Sequence, residues 1–172
     1  MCGICGFNFE DKALLKRMCN LVVYRGPDDE GYYTDSKVSI GMRRLSIIDL
    51  GTGQQPQHNE NGDIWIIFNG EIYNFLELRN LLKKKGHDFY TQSDTESIIH
   101  AYEEWDVDCV DKLRGQFAFC IYDKRKDILF LARDHLGLKP LYYYFDGENF
   151  IFSSEINGFI NRYRQIFLTL DY

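Results

Sequence analysis

The chain has 172 residues, 45% of them hydrophobic and 16% aromatic, which suits one compact domain with its own core and excludes disorder. A formal net charge of −6 disfavours a nucleic-acid or anionic-membrane partner, since either would select a basic face. No apolar run reaches the roughly 18 residues of a membrane span, the start lacks a basic region followed by an apolar segment, and five cysteines without framework spacing read as reduced thiols. The expectation is therefore a cytoplasmic protein.

Residues 2–9 are apolar and punctuated by glycine, and read as a strand. Leu14, Leu15, Met18, Cys19 and Val22 mark one face of a helix over residues 11–22. The charged stretch from Arg25 to Gly31, with two glycines and a proline, is a loop. Tyr32 and Tyr33, then residues 38–42, form a short hairpin. The segment after it begins with Arg43 and Arg44, which resist burial unless they meet an anion, and its apolar half reads as a buried strand edge. Residues 51–63 are a long polar loop, of the kind that often carries function.

Residues 64–68 are a continuous apolar strand ending in Asn69-Gly70-Glu71, where Asn-Gly is also a strong hairpin signal. Asn74 with Glu77 has the pattern of a helix cap; Leu78, Leu81 and Leu82 supply the buried face, and Gly86 ends the helix. The run Lys83-Lys84-Lys85 falls at that helix's C-terminus, where it complements the dipole. Residues 87–91 read as a short strand. Ser93-Asp94-Thr95-Glu96 fits a capping box ahead of a helix carrying Ile98, Ile99, Tyr102 and Trp105, and a further short helix ends near Leu113. Strands over 116–122 and 128–132 form one hairpin, strands over 141–145 and 149–153 another, and Glu155 begins a last helix. Runs such as Phe117-Ala-Phe-Cys-Ile121 are apolar on both faces, so they are covered on both sides. Two sheets packed together with helices outside satisfy that pattern.

The opening Met1-Cys2-Gly3-Ile4-Cys5-Gly6 carries the chemistry. Removal of Met1 leaves one residue with both a thiol and an α-amine. The thiolate is a strong nucleophile but scarce at neutral pH, and an α-amine with a pKa of roughly 7.7–8.0 can take and return its proton. The same residues also fit a small hydrophobe opening a strand. The Cys2/Cys5 spacing suggests zinc or redox use, but zinc would need a second close pair, and Cys19, Cys109 and Cys120 are single and scattered. No metal is expected.

Five stretches together resemble the glutaminase domain of class II glutamine amidotransferases, the N-terminal-nucleophile type. They are Met1-Cys-Gly-Ile-Cys-Gly-Phe7, Arg25-Gly-Pro-Asp28, Arg44-Leu-Ser-Ile-Ile-Asp49, Asn69-Gly-Glu-Ile-Tyr-Asn74 and Ser93-Asp-Thr-Glu96. The fourth, with Arg133-Asp-His-Leu-Gly-Leu-Lys-Pro-Leu-Tyr-Tyr143 and Phe152-Ser-Ser-Glu155, is similar to the asparagine synthetase branch. One such motif is weak; seven in order are strong. The resemblance covers about residues 2–160, leaving 161–172 as a tail or the start of a linker. It implies an α+β fold, a four-layer αββα sandwich of two antiparallel sheets between helix layers.

It also implies roles. Cys2 attacks the side-chain amide of glutamine; Asn69, through its side chain, and Gly70, through its N–H, hold the oxyanion. Arg44 clamps the substrate carboxylate, Glu71 and Asp94 receive its ammonium group, Ile48 contributes backbone, and Arg25 positions Cys2. The sequence departs from the family at Tyr24, where histidine is common before Arg-Gly-Pro-Asp, and at Met42, which precedes Arg43 where a histidine often stands nearby. Synthetases of this branch continue into an ATP-using domain with a Ser-Gly-Gly-x-Asp-Ser loop, which this sequence lacks. No cofactor is expected in this chain; ATP and magnesium belong to such a synthetase domain, joined in cis or met in trans, and a homodimer is compatible. The alternatives are a stand-alone amidotransferase subunit for another acceptor, an N-terminal-cysteine hydrolase of a different amide, and an inactive or regulatory domain that keeps Met1.

Overall fold

The computed structural model describes residues 1–46 and 51–159. Ile48 and the expected tail at 161–172 lie outside the described residues. Among the described residues nine strands form two sheets. The first has five: β1 (Gly3–Phe7), β2 (Asp29–Thr34), β3 (Ser39–Arg44), β8 (Tyr142–Phe145) and β9 (Phe150–Ser153), in the order β2-β3-β1-β9-β8. The second orders β4 (Gln57–His58), β5 (Ile64–Ile72), β6 (Gly115–Asp123) and β7 (Ile128–Arg133) consecutively. Every pairing is antiparallel.

Between the sheets Ile4, Ile40, Met42 and Phe152 meet Ile67, Ala118 and Cys120 in one apolar layer. On the outer face of the first sheet lies α1 (Lys12–Leu21), packing Leu14, Leu15, Met18 and Cys19 against Cys5, Phe7 and Ile151. On the outer face of the second lie α2 (Phe75–Lys84) and α3 (Asp94–Trp105), where Leu78, Leu82, Ile98 and Tyr102 cover Ile66, Phe68 and Phe119. The α+β reading, with two antiparallel sheets between helix layers, holds. Among the described residues no helix is long and apolar enough to cross a membrane.

Local signals acted partly as expected. Asp11 caps α1 by accepting from the Leu14 N–H at 2.8 Å, and Gly86 closes α2 at φ +100°, a left-handed turn that glycine enters without a Cβ penalty. Leu81, expected in the buried face of α2, is 43% exposed. Asn74 makes no cap bond; its amide instead bridges the Lys112 carbonyl and the Arg114 N–H, each at 2.9 Å. Asn69-Gly70 is not a hairpin turn: both residues lie inside β5, opposite Ala118 and Phe117 of β6.

The expected strand at 87–91 is absent. The N–H groups of Tyr90 and Thr91 go to the Glu96 carboxylate at 2.7 and 2.8 Å rather than to a neighbouring strand. For the same reason no capping box forms at Ser93. Glu96 reaches back beyond the cap, and the Ser93 hydroxyl is taken up by Gln57 and Thr91. After β9 the chain makes a short 3₁₀ turn, Ile156–Phe159, where a helix was expected.

Candidate active site

β1 is the central strand of its sheet, flanked by β3 and β9, and this pins Cys2 at the edge of the inter-sheet layer. Three further contacts fix it. Arg25 Nε donates to the Cys2 carbonyl at 3.0 Å, and the same guanidinium pairs with Glu155. Two residues on, Ile4 exchanges bonds with Ser154: its N–H donates to Ser154 Oγ at 3.0 Å, and its carbonyl accepts from the Ser154 N–H at 2.8 Å. The Arg25 and Phe152-Ser-Ser-Glu155 stretches thus converge on the chain's beginning. The Cys2 side chain faces Leu45, whose N–H lies 3.4 Å from Sγ and whose carbonyl lies 3.7 Å from it. Burial pushes the Cys2 thiol above the usual cysteine range; the Leu45 N–H, the terminal amine, Arg44 and Arg25 oppose that push without cancelling it. The thiol therefore needs a base.

Cys2, Arg44, Asn69, Gly70, Glu71 and Asp94 line one cavity of about 200 Å³. That is below the roughly 300–1,000 Å³ typical of sites for drug-sized ligands and suits a small metabolite. Both sheets contribute: Cys2 and Arg44 from the first, Asn69, Gly70 and Glu71 from β5. Asp94 opens α3. Arg25 stands behind the cavity, holding Cys2, and does not line it.

Of the two adjacent arginines, Arg43 pairs with Glu30 at 2.6 Å, while Arg44 is buried in the cavity wall. Asn69 is 1% exposed, and among the described residues its Nδ2 finds no acceptor. Buried amides are nearly always hydrogen-bonded, so an unpartnered donor on a cavity wall marks a place for a ligand oxygen. Gly70 is required for a reason the sequence did not suggest: a Cβ there would meet the Gln116 carbonyl oxygen at 2.2 Å, so the close approach is to the backbone of β6.

Asp94 accepts from the Ile72 N–H at 2.9 Å, which ties α3 to the end of β5. Burial holds its carboxyl above the usual carboxylate range, the Ile72 N–H and nearby backbone N–H groups pull it down, and the Glu71 charge adds to the rise. Two carboxylates facing one cavity favour a cation between them.

Sequence reasoning missed several lining residues, among them Gln55, Ser93, Thr95, Gln116 and Lys139. Gln55 joins three parts of the site, accepting from the Phe68 N–H at 2.7 Å and donating to Thr95 Oγ1 at 3.3 Å. Its only signal was membership of a long polar loop. Lys139 is 8% exposed and reaches Met1 Sδ at 3.5 Å. It lies in the Arg133-to-Tyr143 stretch, which pointed to the family without singling it out. Met1 itself lines the cavity and is 54% exposed, within reach of an aminopeptidase.

A nucleophile, an unpartnered amide donor, a guanidinium and two acids around so small a space match an amino acid bearing a carboxamide. The family model of the glutamine amidotransferase domain matches residues 1–169. The chain belongs to that family. Glutamine-hydrolyzing asparagine synthetase 1 of Bacillus subtilis (strain 168) is 46% identical to this amidotransferase domain over 163 residues, 90% of the chain and 26% of its own length. Asparagine synthetase 2 of the same organism is 50% identical over 145 residues, covering 84% of the chain and 19% of itself. Asparagine synthetase B of Escherichia coli (strain K12) is 36% identical over 167 residues, 93% of the chain and 30% of itself. The amidotransferase domain thus spans about a quarter of the length of these curated relatives. Among solved structures, the glutamine phosphoribosylpyrophosphate amidotransferase of B. subtilis superposes with a TM-score of 0.74 at 21% identity, over 91% of this chain and 42% of its own, which shows a shared fold.

Proposed function

We propose that this domain hydrolyses glutamine to glutamate and ammonia through a thioester on Cys2. The observation that carries the reading is the Cys2 thiol and the unpartnered Asn69 amide on the wall of one cavity with Arg44, Glu71 and Asp94. Arg44 takes the substrate α-carboxylate with its planar fork, and Glu71 with Asp94 takes the α-ammonium. The side-chain amide then lies toward Cys2. With Met1 removed, the Cys2 amine accepts the thiol proton as Sγ bonds to the amide carbon. The carbonyl oxygen gains the negative charge, stabilised by Asn69 Nδ2 and the Gly70 N–H. The amine returns its proton to the departing nitrogen, ammonia leaves, and a γ-glutamyl thioester remains. Water adds to the thioester carbon, the S–C bond breaks, and glutamate and the thiol are regenerated. Arg25 is a positioning residue, acting on the Cys2 carbonyl.

The relatives' names extend the reading. Ammonia from this domain passes to an ATP-dependent synthetase domain, in cis or in trans, that makes asparagine from aspartate; ATP and magnesium act there and not in this chain. Leu136 and Leu138, just before the cavity-lining Lys139, are 83% and 55% exposed and offer an apolar surface for such a partner.

Intact mass and a glutaminase assay test the proposal together. The expected result is a mass lacking Met1, ammonia released from glutamine (with glutamate as the second product) and not from asparagine or simple acyl-amides, and no turnover in Cys2→Ala, which still binds glutamine by calorimetry. A mass that includes Met1, with no glutamate formed, favours the regulatory reading. Full turnover in Cys2→Ala refutes the nucleophile assignment.

A further inference from the structure

Along α3, four side chains from three parts of the chain converge. His100 and Glu103 lie one turn apart on α3, Glu60 comes from the connection between β4 and β5, and His87 follows α2. We propose that Glu60, His87, His100 and Glu103 form a binding site for a divalent transition-metal ion of the zinc class. One ligand atom from each residue lies within 4.8 Å of all the others. Glu103 Oε2 is the hub, 2.9 Å from His100 Nδ1 and 3.6 Å from His87 Nδ1, and Glu60 Oε1 lies 3.9 Å from His100 Nδ1. Four ligands at zinc's bond lengths of roughly 2.0–2.1 Å form a tetrahedron with edges of about 3.3–3.4 Å, and the separations here bracket that value. Small side-chain rotations suffice.

Outer contacts hold Glu103 and His87 by their second atoms, and Glu60 Oε1 itself accepts from the Asp88 N–H at 3.2 Å, which keeps that loop residue in place. Glu103 Oε1 accepts from Asn59 Nδ2 at 2.8 Å, leaving Oε2 turned inward. His100 Nε2 is buried without a hydrogen bond among the described residues, 3.6 Å from Glu96 Oε1, and Glu96 is itself fixed by Thr91 and Tyr90. His87 Nε2 faces Glu104 Oε2 at 3.5 Å. A carboxylate stands behind each imidazole, as behind ligating histidines; His100 Nδ1 is hydrogen-bonded to Glu103 Oε2 at 2.9 Å, and an ion bound between them takes the place of that proton. Once ligated, two imidazoles and two carboxylates carry −2, which matches a divalent ion. The imidazole pair selects a transition metal over magnesium or calcium, which prefer all-oxygen shells. The His100 side chain is fully buried while that of Glu60 is 38% exposed, so the site is enclosed with an entrance at Glu60. No cysteine takes part, and only the His100/Glu103 spacing is visible along the chain, so this site differs in kind from the Cys2/Cys5 pair.

The site would tie the 58–63 connection and the segment after α2 to α3. His100 lies six residues from Asp94, about 9 Å along the helix axis, so the ion braces the helix that presents Asp94 to the cavity. The test is calorimetric and thermal-shift titration of tag-free, full-length protein with Zn²⁺, with Co²⁺ as a spectroscopic probe and Mg²⁺ as control. One equivalent of Zn²⁺ should bind and raise Tm. Co²⁺ should give d–d bands without thiolate charge transfer. Glu60→Gln and His87→Gln, both peripheral to the core, should each weaken binding at least ~10-fold, and Cys2→Ala should leave it unchanged. No saturable binding would overturn the proposal, as would undiminished affinity in the Glu60→Gln/His87→Gln double variant. Loss of binding in Cys2→Ala would assign the ion to cysteine instead and overturn it equally.

Discussion

Asn69 separates stability from catalysis more cleanly than any other residue of the cavity. Its Nδ2 is buried and makes no hydrogen bond among the described residues, so removing that donor forfeits none of the fold's bonds. In the proposed mechanism the same donor stabilises the oxyanion, and loss of one such donor typically lowers kcat by about 10²–10³-fold. Asn69→Ala is therefore expected to leave Tm near wild type while glutaminase kcat falls by that factor and KM for glutamine changes little, because the oxyanion exists only past the ground state. Steady-state kinetics beside a melting curve check it; a loss in Tm with unchanged kcat would mean that the amide serves the fold. The placing of Asn69, Cys2 and Asp94 on one cavity was legible through short stretches of sequence: an amino terminus, an Asn-Gly pair, the start of a helix. Gln55 and Lys139 were not. Each reaches the cavity through a loop path that no local pattern encodes, and what sets Gln55 apart from Gln54 and Gln57 is only which one meets the Phe68 N–H.

The turn between β7 and β8 depends on a single carboxylate. Asp134 Oδ1 accepts from the N–H groups of Leu136 and Leu138, and Oδ2 from those of Phe117 and Lys139, at 3.0–3.2 Å. Burial by itself would raise the Asp134 pKa; these four bonds outweigh it and hold the carboxyl below the usual range. A depressed folded-state pKa stabilises the fold above the unfolded value of about 3.9, and that stabilisation is lost as pH falls through the lower folded value. Asp134→Asn keeps the shape but loses the charge and one acceptor. It should cost about 2–3 kcal/mol at neutral pH, with the gap to wild type narrowing in chemical-denaturation curves taken below about pH 4. A gap independent of pH would mean the charge is not what holds the turn. Because Lys139, whose N–H is held by Asp134, lies in this turn and lines the cavity, the role of the Arg133-to-Tyr143 stretch becomes clear at this scale. The same scale explains the failed strand at 87–91. Strand pairing is a competition for N–H groups, and those of Asp88, Tyr90 and Thr91 go to the Glu60 and Glu96 carboxylates.

The layer order was readable because runs such as that of β6, apolar on both faces, must be covered twice; the strand order was not. That β9 inserts beside β1, far along the chain, rests on pairings such as Cys5 with Ser153 that leave no periodic trace in the sequence. This long-range order sets up the cavity, since the nucleophile comes from one sheet and the proposed oxyanion donors from the other. The apolar layer between the sheets therefore sets their separation, and two neighbouring residues of β5 can test this. Ile67 points into the inter-sheet layer and Ile66 into the layer beneath α3, and both are fully buried. Replacing either with alanine should cost about 2–5 kcal/mol, through lost transfer energy and an unfilled cavity. Their effects on chemistry should differ. Ile67→Ala lets the sheets settle toward each other, and a shift of about 1 Å between reacting groups can cost up to 10²-fold in rate. Ile66→Ala relaxes the helix side instead and leaves Cys2 facing Asn69. Measured well below both melting temperatures, Ile67→Ala should lower glutaminase kcat by about tenfold or more, while Ile66→Ala, equally destabilised, should keep kcat close to wild type. Equal losses in the two variants would show that overall stability, and not the spacing of the sheets, governs the rate.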